Sequence, residues 1–378
     1  LWLCPSRKQN TARVMQALCE KTAQRILVVP EQFSHEAERM LCRAGGDTIS
    51  RFAEVLSFSR LASRVFSIEG GAADSETDAG GCLLMMSLAV EQVRSRLKVF
   101  GSGAVKPEFL LRLIDTLEEF RSYCVTPADL RRAGQELSGV LAVKTEEFAL
   151  LMESYASVRA NCGQNPETRL NRLLAALETS DFAKDKTFYF DGFTDFNGIQ
   201  REILAQLLAS GAPVEVFLTC GALNAAAQQY EAARETARQL LSAARTQGIR
   251  TAVHDMEEPQ DCASLAFLRE RLFAGGNVHF EGAQDAVSLR LASDVRGECR
   301  WAAGEILRLI GTGARWRDIA VAYTDEASYR PVLESLLRSA EIPAYFAGDR
   351  SLLQEPVIHF LLSSLEAATG GMEQEAVL

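Results

Sequence analysis

One stretch limits the fold of this chain more than any other: Thr187-Phe188-Tyr189-Phe190-Asp191-Gly192-Phe193-Thr194-Asp195-Phe196-Asn197. Its first four residues are β-branched or aromatic, a composition that suits a buried strand, and the run breaks at Asp-Gly. A carboxylate is thereby set at the C-terminal edge of a strand. In an open parallel α/β sheet ligands bind along that edge, so Asp191 is the first candidate site residue. The same letters also read as a plain Asp-Gly turn. The flanking elements have to decide.

Short apolar strands followed by helices recur on both sides of this stretch. Strands are expected at residues 1–3, 25–30, 47–50 and 213–219, with helical periodicity over 12–23, at Ala37, Met40 and Leu41, and at Ile199, Ile203, Leu204, Leu207 and Leu208. That alternation predicts an α/β fold with a doubly wound parallel sheet. From 74 to 166 the strand signal disappears and helix signals take over, including Thr126-Pro127-Ala128-Asp129, a helix start with proline in the first turn. The expected division is a first α/β part over 1–73, an all-helical insertion over 74–167, the rest of the α/β domain over 168–284, and the start of a second α/β domain over 285–378. In that last part strands are expected at 287–291, 318–323 and 344–346 and helices at 298–310, 329–340 and 356–368. Gly101-Ser102-Gly103 and Gly311-Thr312-Gly313 lack the strand and helix that flank a dinucleotide loop, and both read as turns.

A chain of 378 residues exceeds one core, which agrees with more than one domain. No window approaches the roughly 18 apolar residues of a membrane span, and no signal peptide is read. The net charge of −10 provides no global basic field, so any nucleic-acid contact must come from a local groove. Nine scattered cysteines form no C-x-x-C pair, and the four histidines are equally dispersed. Zinc and thiol chemistry are not favoured, no metal ligands are assigned, and reduced thiols in a cytoplasmic protein are expected. The chain opens inside a strand without an initiator methionine and stops in a helical run, which reads as a fragment.

The first strand leads into Cys4-Pro5-Ser6-Arg7-Lys8-Gln9-Asn10-Thr11 and then a helix, the layout of a phosphate-binding P-loop. If Thr11 holds the terminal Ser/Thr place, Asn10 holds the lysine place and Lys8 lies two positions early. None of the glycines that let backbone N–H groups approach phosphates is present. A plain turn with no nucleotide is an equal alternative to binding through Lys8, Asn10, Thr11 and Asp191.

Four segments together carry a family resemblance. Asp191 to Asn197, with Gln200 and Leu207-Leu208, is similar to the Walker B motif D-E-F-Q-D-T-N of superfamily 1 helicases. Ser57-Phe58-Ser59-Arg60-Leu61-Ala62-Ser63-Arg64-Val65-Phe66 resembles their T-F-H-S-L-x-x-R-I-L motif. Asp318-Ile319-Ala320-Val321-Ala322-Tyr323, with Glu334, Leu337 and Ile342-Pro343, resembles the start of their second motor domain. With Val28-Val29-Pro30-Glu31-Gln32-Phe33, the match narrows to the AddB-type subunit of the AddAB helicase–nuclease.

The resemblance implies a P-loop NTPase-like, superfamily 1 helicase-like fold, in double-strand break repair by recombination. Departures from the family pattern imply a motor that does not turn over: Gly192 stands in the place of the glutamate that positions water, and the P-loop glycines and lysine are missing. Thr324 replaces an arginine of the second motor domain, and no glutamine-bearing motif occurs at Cys220-Gly221-Ala222. What is implied instead is guidance of a single strand, with a duplex end as substrate and an AddA-type motor–nuclease subunit as heterodimeric partner, and the reading of a recombination hotspot. Gln32, Phe33, Ser34, Ser57, Phe58, Arg60, Phe193 and Phe196 are the expected DNA-binding residues, supplying aromatic faces and donors from loops after successive strands. No cofactor is expected in this stretch, with binding of ATP and magnesium left open; the family's iron–sulfur cluster is expected beyond residue 378. Two rival readings remain: an active ATP-dependent helicase with an atypical P-loop, and a scaffold whose insertion only binds the motor subunit.

Overall fold

The computed structural model describes residues 1–378 except 21–23, 71–76, 102–105, 166, 225–227, 257–261, 275, 284–285, 349–351, 353–354 and 370–378. Two units are distinguished, Leu1–Ala286 and Val287–Leu378. The turn expected around Gly101 lies partly, and the boundary expected between 284 and 285 wholly, outside the described residues.

The first unit begins β1 (Trp2–Cys4), α1 (Arg7–Leu18), β2 (Gln24–Val28), α2 (Ser34–Gly45), β3 (Ala53–Leu56) and α3 (Phe58–Glu69). Four helices follow, α4 (Ala79–Val93), α5 (Pro107–Ser122), α6 (Pro127–Glu136) and α7 (Gly139–Asn161). After α8 (Arg169–Thr179) the sheet resumes with β4 (Lys186–Phe190), α9 (Gly198–Ala209), β5 (Val214–Thr219), α10 (Glu231–Thr246), β6 (His254–Asp255) and α11 (Ala263–Arg271). Among the described residues six strands form one parallel sheet, in the order β3-β2-β4-β5-β1-β6. This is the expected P-loop-like parallel α/β architecture.

Strand alternation distributes the core over both faces of the sheet. Phe188 and Phe190 join Val28, Leu218 and residues of α3, α8, α9 and α10 on one side. Tyr189 joins Leu27, Phe217 and residues of α1 and α2 on the other. Each fully buried ring of this kind contributes about 1.5–3 kcal/mol. Because β4 is paired by β2 and by β5, its C-terminal end lies in the interior of the sheet edge, between neighbouring strand ends.

Helices α4 to α7 carry a core of their own around Met86, Leu117, Leu151 and Tyr155. Its α6 opens as the sequence predicts, with Thr126 and Asp129 capping each other reciprocally and Pro127 in the first turn. Glu147, buried on α7, accepts the backbone N–H groups of Lys98, Val99 and Phe100 at 2.6, 2.9 and 2.9 Å and so pins the loop after α4. Gly198, opening α9, packs directly on the backbone of Tyr123, where a Cβ would lie 2.8 Å from the main chain.

Three local expectations are corrected. The third strand is Ala53–Leu56, not 47–50: Gly46 ends α2 at φ +73° and Ile49–Arg51 adds a turn of 3₁₀-helix, so the chain reaches the sheet later. Helix α1 starts at Arg7, ahead of the periodic run that begins at Ala12. The second unit holds α12 (Val295–Gly311), α13 (Glu326–Ser339) and α14 (Pro356–Thr369), and no strand among the described residues. Residues 287–291, 318–323 and 344–346 form no ladder there, and a strand exists only as part of a ladder. Leu289, Leu291 and Tyr345 are exposed. The unit's small core is Ala303, Ile306, Leu337 and Ile342.

Candidate functional site

Asp191 continues the ladder by one residue, its N–H donating to Val28 O at 3.1 Å, so the carboxylate is fixed at the strand end. It is buried, and Thr11 Oγ1 donates to its Oδ2 at 2.9 Å. Oδ1 has no hydrogen-bond partner among the described residues. Burial pushes the Asp191 carboxyl above its ordinary range; the Thr11 hydroxyl, the Arg7 charge and the Gly192 N–H pull the other way.

The approach of α1 to this edge is set by its first turn. Ser6 caps the helix, accepting from Gln9 N at 3.4 Å, and Asn10 N donates to Ser6 O at 3.2 Å. The Asn10 side chain points inward, fully buried, with Nδ2 donating to Leu218 O of β5 at 3.1 Å. Thus Asn10 grips the end of β5 while its neighbour Thr11 reaches β4. Lys8 stays exposed on the same turn. Of the four residues expected to hold nucleotide, Thr11 and Asp191 meet, whereas Asn10 turns to β5 and Lys8 is exposed.

Gly192 adopts φ +84°, the left-handed region where a side chain is strained. A Cβ there would lie 3.1 Å from Arg7 Nη2 and 3.3 Å from Pro30 Cδ. The glycine therefore lets three chain segments converge: the start of α1, the β2–α2 turn, and the residues after β4.

Most of the expected DNA-binding residues lie along this same edge, but with different exposure. Gln32, in the 3₁₀ turn Glu31–Phe33, is exposed. Phe33 is half-buried against the α1 and α2 core, with the Arg7 guanidinium carbon 3.9 Å from its ring centroid. Ser34 is buried and starts α2. Ser57 is buried too, capping α3 by accepting from Arg60 N at 3.2 Å. Arg60 is exposed, with Nη1 2.6 Å from Glu38 Oε1 on α2.

Phe58, Phe193 and Phe196 gather with Phe190 into one aromatic cluster, with Phe193 and Phe196 centroids 4.8 Å apart and Phe58 and Phe193 5.7 Å apart. Within it Phe58 and Phe196 are only 6% and 2% exposed, so neither offers a free face to a base; Phe193 is half-buried. The rings of Phe58 and Phe196 pack the floor beneath the edge, a different task from the stacking expected of them. The aromatic spacing alone could not separate the two, since a stacking platform and a core wedge have the same composition.

Two residues at this edge, Arg7 and Glu38, are absent from the sequence-based expectations. The Ser6-x-x-Gln9 spacing is the available signal for Arg7, because it marks a helix N-terminus that brings residue 7 to the sheet edge. Nothing local in the sequence marks Glu38. Among the described residues no group of three His, Cys, Asp or Glu side chains is placed to hold a metal ion, and no helix is long and apolar enough to cross a membrane.

Residues 8–269 match the family described as ADDB, N-terminal. The chain is 29% identical over 363 residues to the B-type subunit of the ATP-dependent helicase/deoxyribonuclease of Desulforudis audaxviator, covering 91% of this chain and 31% of that protein. It is 29% identical over 374 residues to the subunit of the same name from Bacillus anthracis, covering 93% and 31% respectively. The chain thus spans about a third of the length of the curated relatives it matches.

Proposed function

Because this chain belongs to the AddB N-terminal family, we propose that it is a helicase-like region that holds single-stranded DNA beside a partner motor subunit, in double-strand break repair, without turning over ATP itself. The observation that carries the reading is convergence: Gln32, Phe33, Arg60 and Phe193 come from three neighbouring strand ends to one edge of the sheet. Donors for phosphates and a partly open aromatic surface are the parts that sequence-tolerant strand binding needs. The relatives are named as one subunit of an ATP-dependent helicase/deoxyribonuclease, which supports both a DNA substrate and an AddA-type partner. Reading of a recombination hotspot at this edge is part of the same proposal.

Loss of the motor step is supported by the poor fit of the α1 turn to a nucleotide. A phosphate cradle needs free backbone N–H groups and a lysine. Here the N–H groups of Gln9 and Asn10 are already bonded to Ser6, and Asn10 faces Leu218. Gly192 supplies no carboxylate to orient water. These residues do not suit ATP and magnesium. The rival reading, an active helicase with an atypical P-loop, draws on the Thr11 to Asp191 hydrogen bond, which keeps two oxygen donors together.

Binding of a labelled oligothymidine at two salt concentrations tests the proposal. The chain should bind, and Arg60→Ala should weaken binding and lower the salt slope by up to about one unit. Absence of binding at low salt, or binding that Arg60→Ala leaves unchanged in both affinity and slope, counts against it.

A further inference from the structure

We propose that Arg7, rather than Phe33, is the outermost stacking surface for a nucleobase at the β2 end of the edge. The inference rests on the strand-binding reading above. Phe33 packs against the core that holds Val29 and Ala37, and the Arg7 guanidinium lies 3.9 Å over the ring. An incoming base therefore meets the guanidinium before it meets the ring. Arg7 is exposed and makes no hydrogen bond or ion pair among the described residues, so its donors and the side turned away from Phe33 are not engaged there.

A guanidinium plane is itself a stacking surface for a base, and an aromatic ring beneath it fixes its orientation before binding. Lysine cannot replace it, because an ammonium has charge without a plane. Gly192 makes the arrangement possible: any side chain at that position would begin 3.1 Å from Arg7 Nη2. Phe33 then acts as a positioning residue that holds Arg7 flat. The sequence places this arginine in the middle of what would be a phosphate loop, and the geometry turns it toward the neighbouring β2–α2 turn instead.

The test measures fluorescence anisotropy of a labelled oligothymidine with the full chain, its Arg7→Ala, Arg7→Lys and Phe33→Leu variants, and Arg60→Ala as reference. Arg7→Ala should lose roughly tenfold in affinity, within the range expected for one stacked base, with the chain still folded and only a small fall in melting temperature, since the Arg7 charge also faces Asp191. Arg7→Lys should retain the salt slope and still lose most of that affinity. Phe33→Leu should lose less than Arg7→Ala. An oligonucleotide carrying abasic sites should bind the native chain more weakly while binding Arg7→Ala with little further loss. Native affinity in Arg7→Lys would reduce the role of Arg7 to its charge and overturn the stacking inference. Native affinity in Arg7→Ala alongside weakened Arg60→Ala would overturn it while leaving strand binding intact. Native affinity in both Arg7→Ala and Arg60→Ala would overturn it together with the strand-binding reading.

Discussion

The turn from β1 to α1 and the turns from β2 to α2 and β3 to α3 are built alike, each a parallel strand delivering a helix at the same sheet edge, yet they use part of their polar groups differently. In the first, the groups turn inward: Ser6 closes the helix start, Asn10 grips β5, and Thr11 grips Asp191. In the others Ser34 and Ser57 are buried as well, but Gln32 and Arg60 stay exposed above a floor of Phe58, Phe190 and Phe196. A strand–turn–helix layout therefore fixes where a site can be, and the first helical turn decides what it can hold. Arg7 belongs to the inward turn by sequence and to the outward surface by geometry.

Phe58→Ala probes the contrast most severely. With Phe58 as the floor of the outward edge, truncation should cost about 3–5 kcal/mol of stability, read from denaturant unfolding. A cost near zero combined with lost DNA affinity would return Phe58 to the surface as a strand contact.

Gly192→Glu restores the side chain that the resemblance associates with a working motor. At φ +84° and with Arg7 and Pro30 so close, it should cost about 1–3 kcal/mol and yield no ATP turnover. Native stability together with new turnover would erase the distinction between the two kinds of turn.

Much of this is legible in the sequence, and the misses have physical causes. β4 and its Asp-Gly end are readable because an aromatic and β-branched run ending in a turn pair has few other uses. The helix start at Arg7 is written in Ser6 and Gln9, but a P-loop pattern points to Lys8 instead. β6 has two residues and leaves no periodicity to detect. In the second unit the apolar runs have strand composition, and composition cannot supply the neighbouring strand that a ladder requires. Side-chain burial is the least legible property: Phe58 and Phe193 lie in equally aromatic surroundings, and only the packing separates a floor from a rim.

The smallest of the expected effects concerns Asp191. Its folded pKa is raised, so the folded state holds the proton more tightly than the unfolded chain does. The stability linked to this group is present in full below the unfolded carboxyl pKa and is lost as pH rises through the folded value. Above the unfolded carboxyl pKa the buried Asp191 carboxyl is thus a cost, and Asp191→Asn, which can still accept from Thr11, should raise the melting temperature at neutral pH. That gain should shrink as pH falls into the carboxylate range. A lower melting temperature for Asp191→Asn at neutral pH would mean that the Arg7 charge and the Thr11 hydroxyl outweigh burial of the carboxyl.

ATP hydrolysis in the presence of saturating single-stranded DNA tests the central claim most directly, because it asks whether the inward turn still performs motor chemistry. The account predicts background turnover for the native chain, no different from that of Asp191→Ala. DNA-stimulated turnover that Asp191→Ala abolishes would contradict it.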